Sequence, residues 1–165
     1  MSAKILKVAF VGSGAAGKTT IATRLTSGEF VDVMMTVGLN VETWSIANEE
    51  GQPRVKVALF DLSGQPQFRF MQNALLVGTH AVLIVVDMTR ITSLFEVDNW
   101  IPLIRHVPRD RWLLVGNKED EPTTVTREDI ENKAKDLGIP YVIISAKTGK
   151  NFEELVSRLK NLCLS

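Results

Sequence analysis

Six short segments of the chain carry the hydrophobic pattern of β-strands. They span residues 5–11, 39–47, 55–60, 81–87, 112–116 and 141–144. Residues 81–87 read AVLIVVD, an almost unbroken apolar run that is typical of a central parallel strand buried on both faces. The second and third segments are separated by a polar turn, NEEGQP, and this arrangement predicts an antiparallel hairpin.

Helical patterns lie between most of these strands. Helices are predicted over residues 17–27, 93–105 and 127–137, after Pro66, and from about residue 152 onward. Strands that alternate with helices in this way favour an α/β fold with helices on both faces of the sheet. We therefore expect one domain over residues 1–165, with a six-stranded, mostly parallel sheet, one antiparallel edge strand and five helices.

Two helix starts carry capping signals. Thr126 with Asp129, and Asn151 with Glu154, resemble capping boxes, in which two side chains satisfy the free backbone N–H groups of a helix start. The helix that follows Asn151 is predicted to bury one apolar face. That face contains Phe152, Leu155, Val156 and Leu159.

Composition and charge are those of an ordinary globular domain. The 165 residues are 45% apolar and 23% charged, and the formal net charge is zero, so we expect no nucleic-acid partner. The single cysteine, Cys163, is expected to be a tail residue at the end of the last helix. We find no signal peptide, spanning segment or lipidation box. We therefore expect a cytoplasmic protein without its own membrane anchor, peripheral at membranes through partners.

Residues 12–19 read GSGAAGKT and match the phosphate-loop pattern G-x-x-x-x-G-K-[ST] in full. The motif follows a predicted strand and opens a predicted helix, as this loop requires. Small residues let backbone N–H groups surround a phosphate, and the helix adds its positive end. Lys18 can then reach the β- and γ-phosphates, and the Thr19 hydroxyl can bind Mg²⁺.

A second set of residues indicates which base is bound. Residues 117–120, NKED, directly follow a predicted strand. The Asp120 carboxylate can accept from N1–H and the exocyclic amine of guanine, whereas adenine would present an unpaired acceptor there. Asn117 can bridge loops, and the stem of Lys118 can cover the ring. The sequence SAK follows the last strand, and the Ala146 N–H can donate to guanine O6.

A third set fits the metal and the attacking water. Asp61 ends a buried strand and can hold Mg²⁺, often through water. The Gly64 N–H can donate to the γ-phosphate, and the Gln65 amide can position the water in line. Thr36 can complete the Mg²⁺ shell only when a γ-phosphate is present. The apolar residues 33–35 near it are either a partner surface or part of the core.

Together, GSGAAGKT, Thr36, DLSGQ, NKED and SAK resemble the signatures of the Ras superfamily of small GTPases, over essentially the whole chain. The resemblance implies a switch that binds GTP and GDP with Mg²⁺ and hydrolyses GTP slowly, with Gln65 as the catalytic residue. Implied metal ligands are Thr19, Thr36 and Asp61. The implied nucleotide-binding residues are Gly14, Ala15, Ala16, Gly17, Lys18, Thr19, Thr20, Phe30, Thr36, Asp61, Gly64, Asn117, Lys118, Asp120, Ser145, Ala146 and Lys147.

The resemblance also implies partners. Effectors, GTPase-activating proteins and exchange proteins would contact residues 33–39 and 65–76, and the GTP-bound form would recruit the effector. TVGLNVETW resembles the Arf-type switch, whereas GQPQFRF and GTHAVLIVVDMTR are more similar to Rab and Ras proteins. Such a mosaic is similar to prokaryotic, especially archaeal, members. Pro66 biases Gln65 toward extended conformations.

Two other functions compete with the switch. A metabolic kinase would need an arginine-rich lid and an acceptor pocket, and the sequence shows neither. A GTP-binding subunit that rarely turns over would not need Gln65 or Thr36.

We predict that residues 31–39 and 62–76 change conformation with the nucleotide, because they contain the groups that can touch the γ-phosphate. Hydrogen exchange in these segments should be slower with a non-hydrolysable GTP analogue than with GDP. Identical protection in both states would leave a nucleotide-binding domain without a switch.

Overall fold

The computed structural model describes residues 4–13, 16–27, 39–47, 50, 53–62 and 76–164. Its strands are β1 (Lys4–Gly12), β2 (Leu39–Ala47), β3 (Pro53–Leu62), β4 (Ala81–Asp87), β5 (Trp112–Asn117) and β6 (Tyr141–Ile143). Its α-helices are α1 (Lys18–Ser27), α2 (Ile91–Ile104), α3 (Arg127–Leu137) and α4 (Phe152–Leu164), and a 3-10 turn covers Arg109–Arg111.

The six strands form one sheet in the order β2-β3-β1-β4-β5-β6. Strand β2 pairs with β3 in the antiparallel direction, and every other neighbouring pair is parallel. This confirms the mostly parallel sheet with one antiparallel edge strand. The structure describes four α-helices where the sequence predicts five; the remaining one, expected after Pro66, lies outside the described residues.

Side chains alternate between the two faces of β1 and so divide the core into two layers. Val8 and Phe10 belong to the layer that contains apolar residues of α1 and α4. Ala9 and Val11 belong to the layer under α2 and α3. Strand β4 is buried at every position, as its apolar run predicts for a strand covered on both sides. The sheet is therefore a central layer between two pairs of helices.

The register of the parallel strands aligns their carboxyl ends. Phe10 lies opposite Asp61, Gly12 opposite Val85, and Asp87 is the partner of Asn117. Side chains and loops at these ends therefore meet along one edge of the sheet, which is where ligands bind in open α/β sheets.

The start of α3 has the predicted capping box. Thr126 Oγ1 accepts from the Asp129 N–H at 3.1 Å, and Asp129 Oδ2 accepts from the Thr126 N–H at 2.8 Å. Asn151 differs from its prediction, because its φ of 60° is not the extended conformation of an N-cap residue. Its side-chain Nδ2 donates instead to the Ile143 carbonyl at 3.0 Å, which ties the start of α4 to β6.

Helix α4 buries the predicted face, with Phe152, Leu155 and Leu159 in the core and Val156 packed against it. Cys163 lies in the last turn of α4, as expected, but it is buried and belongs to the same cluster. Burial raises the pKa of its thiol to about 11. Among the helices that the structure describes, none has the length and hydropathy that crossing a bilayer requires.

Shortening a side chain on the buried face of α4 should destabilise the domain. Leu159 is fully buried, so Leu159→Ala should lower the free energy of unfolding by about 2–5 kcal/mol, because it removes apolar contacts and leaves a cavity. Leu164 lies in the same helix and is 39% exposed, so Leu164→Ala should change the free energy of unfolding by less than about 1 kcal/mol. Urea denaturation measures the free energy of unfolding of both variants. Equal decreases in the two variants would contradict the placement of α4.

Candidate guanine-nucleotide site

The phosphate-loop motif joins the end of β1 to the start of α1, and two of its glycines are fixed by close contacts. Gly12 has a φ of 140°, and a Cβ there would collide with the Val85 carbonyl oxygen of β4. Gly17 has a φ of 92°, and a Cβ there would collide with the amide nitrogen of Asn117. Both positions therefore require glycine for backbone conformation and for space.

Lys18 is the first residue of α1, and its ammonium group lies inside the loop. Nζ donates to the Ser13 carbonyl at 2.6 Å and the Gly12 carbonyl at 3.1 Å, and it lies 4.0 Å from Asp61 Oδ1. The side chain is only 2% exposed. Burial lowers the pKa of Lys18, while the charges of Asp61 and Glu96 act in the opposite direction. An anion bound at this helix start would stabilise the buried cation.

The structure brings together two of the three predicted metal ligands. The Thr19 hydroxyl donates to Asp61 Oδ2 directly. Burial raises the pKa of Asp61, opposed by the nearby Lys18 charge and the Thr19 hydrogen bond. A hydroxyl and a carboxylate are the hard oxygen donors that Mg²⁺ prefers. No cluster of three or more His, Cys, Asp and Glu side chains occurs in the described part of the chain.

Asn117 connects the phosphate loop to the loop after β6. Its Nδ2 donates to the Ala16 carbonyl at 3.0 Å, and its Oδ1 accepts from the Ala146 N–H at 3.1 Å. The residue is 2% exposed, so water competes little for either bond. Guanine O6, the predicted acceptor of the Ala146 N–H, would have to share that donor with Asn117.

The carboxylate of Asp120 is held by the loop after β6. Ser145 Oγ donates to Asp120 Oδ1 at 2.7 Å and accepts from the Thr148 N–H at 3.0 Å. Ser145 is fully buried, whereas Asp120 is exposed. The hydrogen bond from Ser145 to Oδ1 therefore orients the carboxylate, and the carboxylate can still accept hydrogen bonds from solvent or from a ligand.

Lys118 lies between Asn117 and Asp120 in the chain and has a left-handed backbone conformation, with a φ of 68°. Its Nζ lies 3.2 Å from Oδ2 of Asp87, a buried residue at the end of β4. Asp87 is absent from the site predicted from the sequence. The signal that could have found it is the single carboxylate that ends the apolar run of residues 81–87.

Arg24 is a second residue that the sequence did not indicate. From α1 its Nη1 donates to the Ala146 carbonyl at 3.1 Å, and its guanidinium lies 5.4 Å from the centre of the Phe152 ring. A Cβ on Gly149 would collide with this guanidinium. Nothing in the helical pattern of α1 distinguishes Arg24, because its partners are more than 100 residues away along the chain.

The other predicted residues divide into two groups. Thr20 is half-buried in the first turn of α1, and Lys147 is exposed beside Ala146. Six lie outside the described residues, and their roles stay predictions. These are Gly14, Ala15, Phe30, Thr36, Gly64 and Gln65.

Comparison with known proteins matches residues 7–164 to the Ras family. The chain is 34% identical to the Ras-related protein Rab-26 of Bos taurus, over 89% of this chain and 59% of that protein. It is 30% identical to the Ras-related protein SEC4 of Saccharomyces cerevisiae, over 96% of this chain and 74% of SEC4. The Ras-related protein RabF1 of Dictyostelium discoideum is 31% identical, over 98% of this chain and 85% of its own length.

These relatives support the Rab-like part of the mosaic, whereas the Arf-like part and the archaeal source stay predictions. The chain spans about 59% of the length of Rab-26. The family match nevertheless covers nearly all of this chain, and two relatives of at least 30% identity are covered over more than two thirds of their length. The chain therefore belongs to the Ras family of small GTPases.

Proposed function

We propose that residues 1–165 form one guanine-nucleotide switch domain, which binds GTP or GDP with Mg²⁺ and hydrolyses GTP slowly. Its GTP-bound form recruits a protein partner. The observation that carries this proposal is the Asn117 bridge, in which one buried amide joins the Ala16 carbonyl to the Ala146 N–H. Through this bridge the phosphate loop is held beside the base loop (residues 117–120) and the loop after β6, which is the arrangement that a whole nucleotide would need.

The phosphate end of the site supplies positive charge and oxygen ligands. Lys18 would exchange its bonds to the loop carbonyls for the β- and γ-phosphates, since its buried ammonium is adjacent to the start of α1. Thr19 and Asp61 would hold Mg²⁺, which neutralises phosphate charge when bound. Thr36 would join that shell in the GTP state.

The base end selects guanine by its hydrogen-bond donors. Asp120 would accept from N1–H and from the exocyclic amine, and Ser145 orients its carboxylate for this role. Adenine offers no matching pair of donors, so its binding would leave a carboxylate unpaired. The Lys118 stem would lie against the purine ring, and Phe30 would cover its edge.

Hydrolysis would depend on Gln65 and Gly64, which position the attacking water and the γ-phosphate. Beyond Lys18 and Mg²⁺, the phosphate-loop sequence offers no second cation for the transition state, so we expect slow intrinsic turnover. An activating protein that inserts an arginine would accelerate it by orders of magnitude.

Partners would recognise the two segments whose conformation depends on the γ-phosphate, residues 33–39 and 65–76. Effectors would bind them in the GTP state, and exchange and activating proteins would act on the same surface. The protein would act in the cytoplasm and would reach membranes through such partners.

The proposal is tested by extracting nucleotide from the purified protein and by titrating GDP and ADP in the presence of Mg²⁺. We expect co-purified guanine nucleotide and much tighter binding of GDP. Equal affinities for GDP and ADP would overturn it.

The carboxylate of Asp120 should determine the preferred base. Asp120→Asn should weaken GDP binding at least about tenfold and shift preference toward xanthosine diphosphate, because the amide donates where the carboxylate accepted. Nucleotide competition titrations measure both effects. Asp136→Asn, the same change at an exposed position of α3, is the control and should leave both unchanged.

Gln65 should affect hydrolysis much more than binding. We expect wild-type turnover of roughly 10⁻⁴ to 10⁻³ per second, the intrinsic scale of Ras itself. Gln65→Leu should lower this rate about tenfold or more and leave GTP affinity nearly intact, because the amide positions water and does not hold the nucleotide.

Single-turnover phosphate release at fixed Mg²⁺ measures the effect of Gln65→Leu. Gln52→Leu, the same change in the turn between the second and third predicted strands, is the matched control and should leave the rate unchanged. Wild-type turnover near one per second without a partner, or a Gln65→Leu variant as fast as wild type, would mean that another residue positions the water.

A further inference from the structure

Asp87 is a buried carboxylate, 1% exposed, at the carboxyl end of β4. Its two oxygens have different partners. Oδ1 accepts from the Thr89 N–H at 2.9 Å and from the Thr89 hydroxyl at 2.5 Å, whereas Oδ2 faces Lys118 Nζ at 3.2 Å. Thr89 therefore fixes the rotation of the carboxylate and directs its second oxygen at the lysine.

The backbone places this carboxylate next to the base loop. Asp87 is the register partner of Asn117 in the β4–β5 ladder, and the Met88 N–H donates to the Asn117 carbonyl at 3.0 Å. The ends of the two strands are thus bonded to each other. Lys118 follows Asn117 directly, so its backbone is also fixed relative to Asp87.

Lys118 has a backbone conformation that lysine rarely adopts, with a φ of 68°. A side chain on such a residue leaves the loop in a different direction from that of an ordinary turn residue. About a third of the Lys118 side chain is exposed, while its ammonium group lies within ion-pair distance of a buried carboxylate. The four-carbon stem between these two fixed ends has few remaining conformations.

We infer that Asp87 is a positioning residue for the nucleotide: it holds the Lys118 ammonium so that the lysine stem is ordered against the face of the purine. This inference rests on the proposed function. Asp87 itself would not touch the ligand. Its effect would be transmitted through Lys118 and would be seen as a slower release of the nucleotide.

The inference separates two properties of the base site. Contact between a lysine stem and the purine face does not depend on the exocyclic amine, so it should favour GDP and inosine diphosphate equally. Preference for GDP over inosine diphosphate depends on Asp120, which would accept from the amine that inosine lacks. A change at Asp87 should therefore alter both dissociation rates and leave their ratio unchanged.

Asp87→Asn is the decisive variant, because its amide oxygen can still accept from Thr89 while its amide nitrogen cannot accept from Lys118. We measure dissociation of fluorescently labelled GDP and inosine diphosphate from the full chain with Mg²⁺. Both rates should rise about three- to tenfold, the expected effect of losing one charge-assisted hydrogen bond at a partly exposed site. Asp98→Asn is the control: it removes the negative charge from the exposed Lys133–Asp98 ion pair between α3 and α2, which is 2.6 Å long, and should change neither rate.

Lys118→Met tests whether the effect passes through the lysine. This variant keeps an apolar stem and removes the ammonium. Adding Asp87→Asn to Lys118→Met should therefore raise the two dissociation rates by less than twofold over those of Lys118→Met alone. If Asp87→Asn does not fold, Thr89→Val replaces it: the hydroxyl bond to Oδ1 is lost, and both rates should rise by a smaller, equal factor.

Three results would overturn the inference: unchanged GDP dissociation in Asp87→Asn, an equally large effect of Asp87→Asn in the Lys118→Met background, or a changed ratio of the two dissociation rates. A wild-type protein that does not prefer GDP over ADP would instead overturn the proposed function. The two failures are therefore distinguishable.

Discussion

The buried amide of Asn117 is the interaction on which the arrangement of the site depends. It joins backbone groups that are contributed by the loop after β1 and the loop after β6, strands that are not neighbours in the sheet. Hydrogen bonds that are shielded from water are stronger, and a buried donor left unpaired destabilises a protein by about 1–3 kcal/mol. Loss of Asn117 would therefore release both loops at once and leave the Ala16 carbonyl and the Ala146 N–H without this partner.

The charges of the site are arranged in two ion pairs around this amide. Lys18 and Asp61 lie at the phosphate end, and Lys118 and Asp87 lie at the base end. In each pair the carboxylate lies at the carboxyl end of a β-strand and is almost completely buried, so its position is set by the sheet. The lysines belong to loop or helix positions beyond the strands, where they can reach a ligand. The sheet thus determines where the ammonium groups of these two lysines lie.

The fold and most of the described site could be predicted from the sequence, because they depend on local signals. The pattern of hydrophobic residues predicted β2 and β4 with the bounds that the structure has, and the Thr126–Asp129 capping box predicted the start of α3. Asp87 and Arg24 were not predicted, since their roles arise from contacts with residues distant in sequence. Asn151 was predicted to cap α4, but its side chain bonds to the Ile143 carbonyl, a partner that only the folded arrangement brings near.

The close approach of Gly17 to Asn117 has a consequence for protein engineering. The space above Gly17 is occupied by the amide of a residue 100 positions later in the chain, so the two positions cannot be exchanged independently. A base loop grafted onto another phosphate-binding scaffold would fit only if the host has glycine directly before its lysine. A host with even alanine at that position would push the grafted asparagine away from both of its partners. The proposed guanine site is therefore not transferable as a single loop, because the base loop fits only against a phosphate loop that has no Cβ at this position.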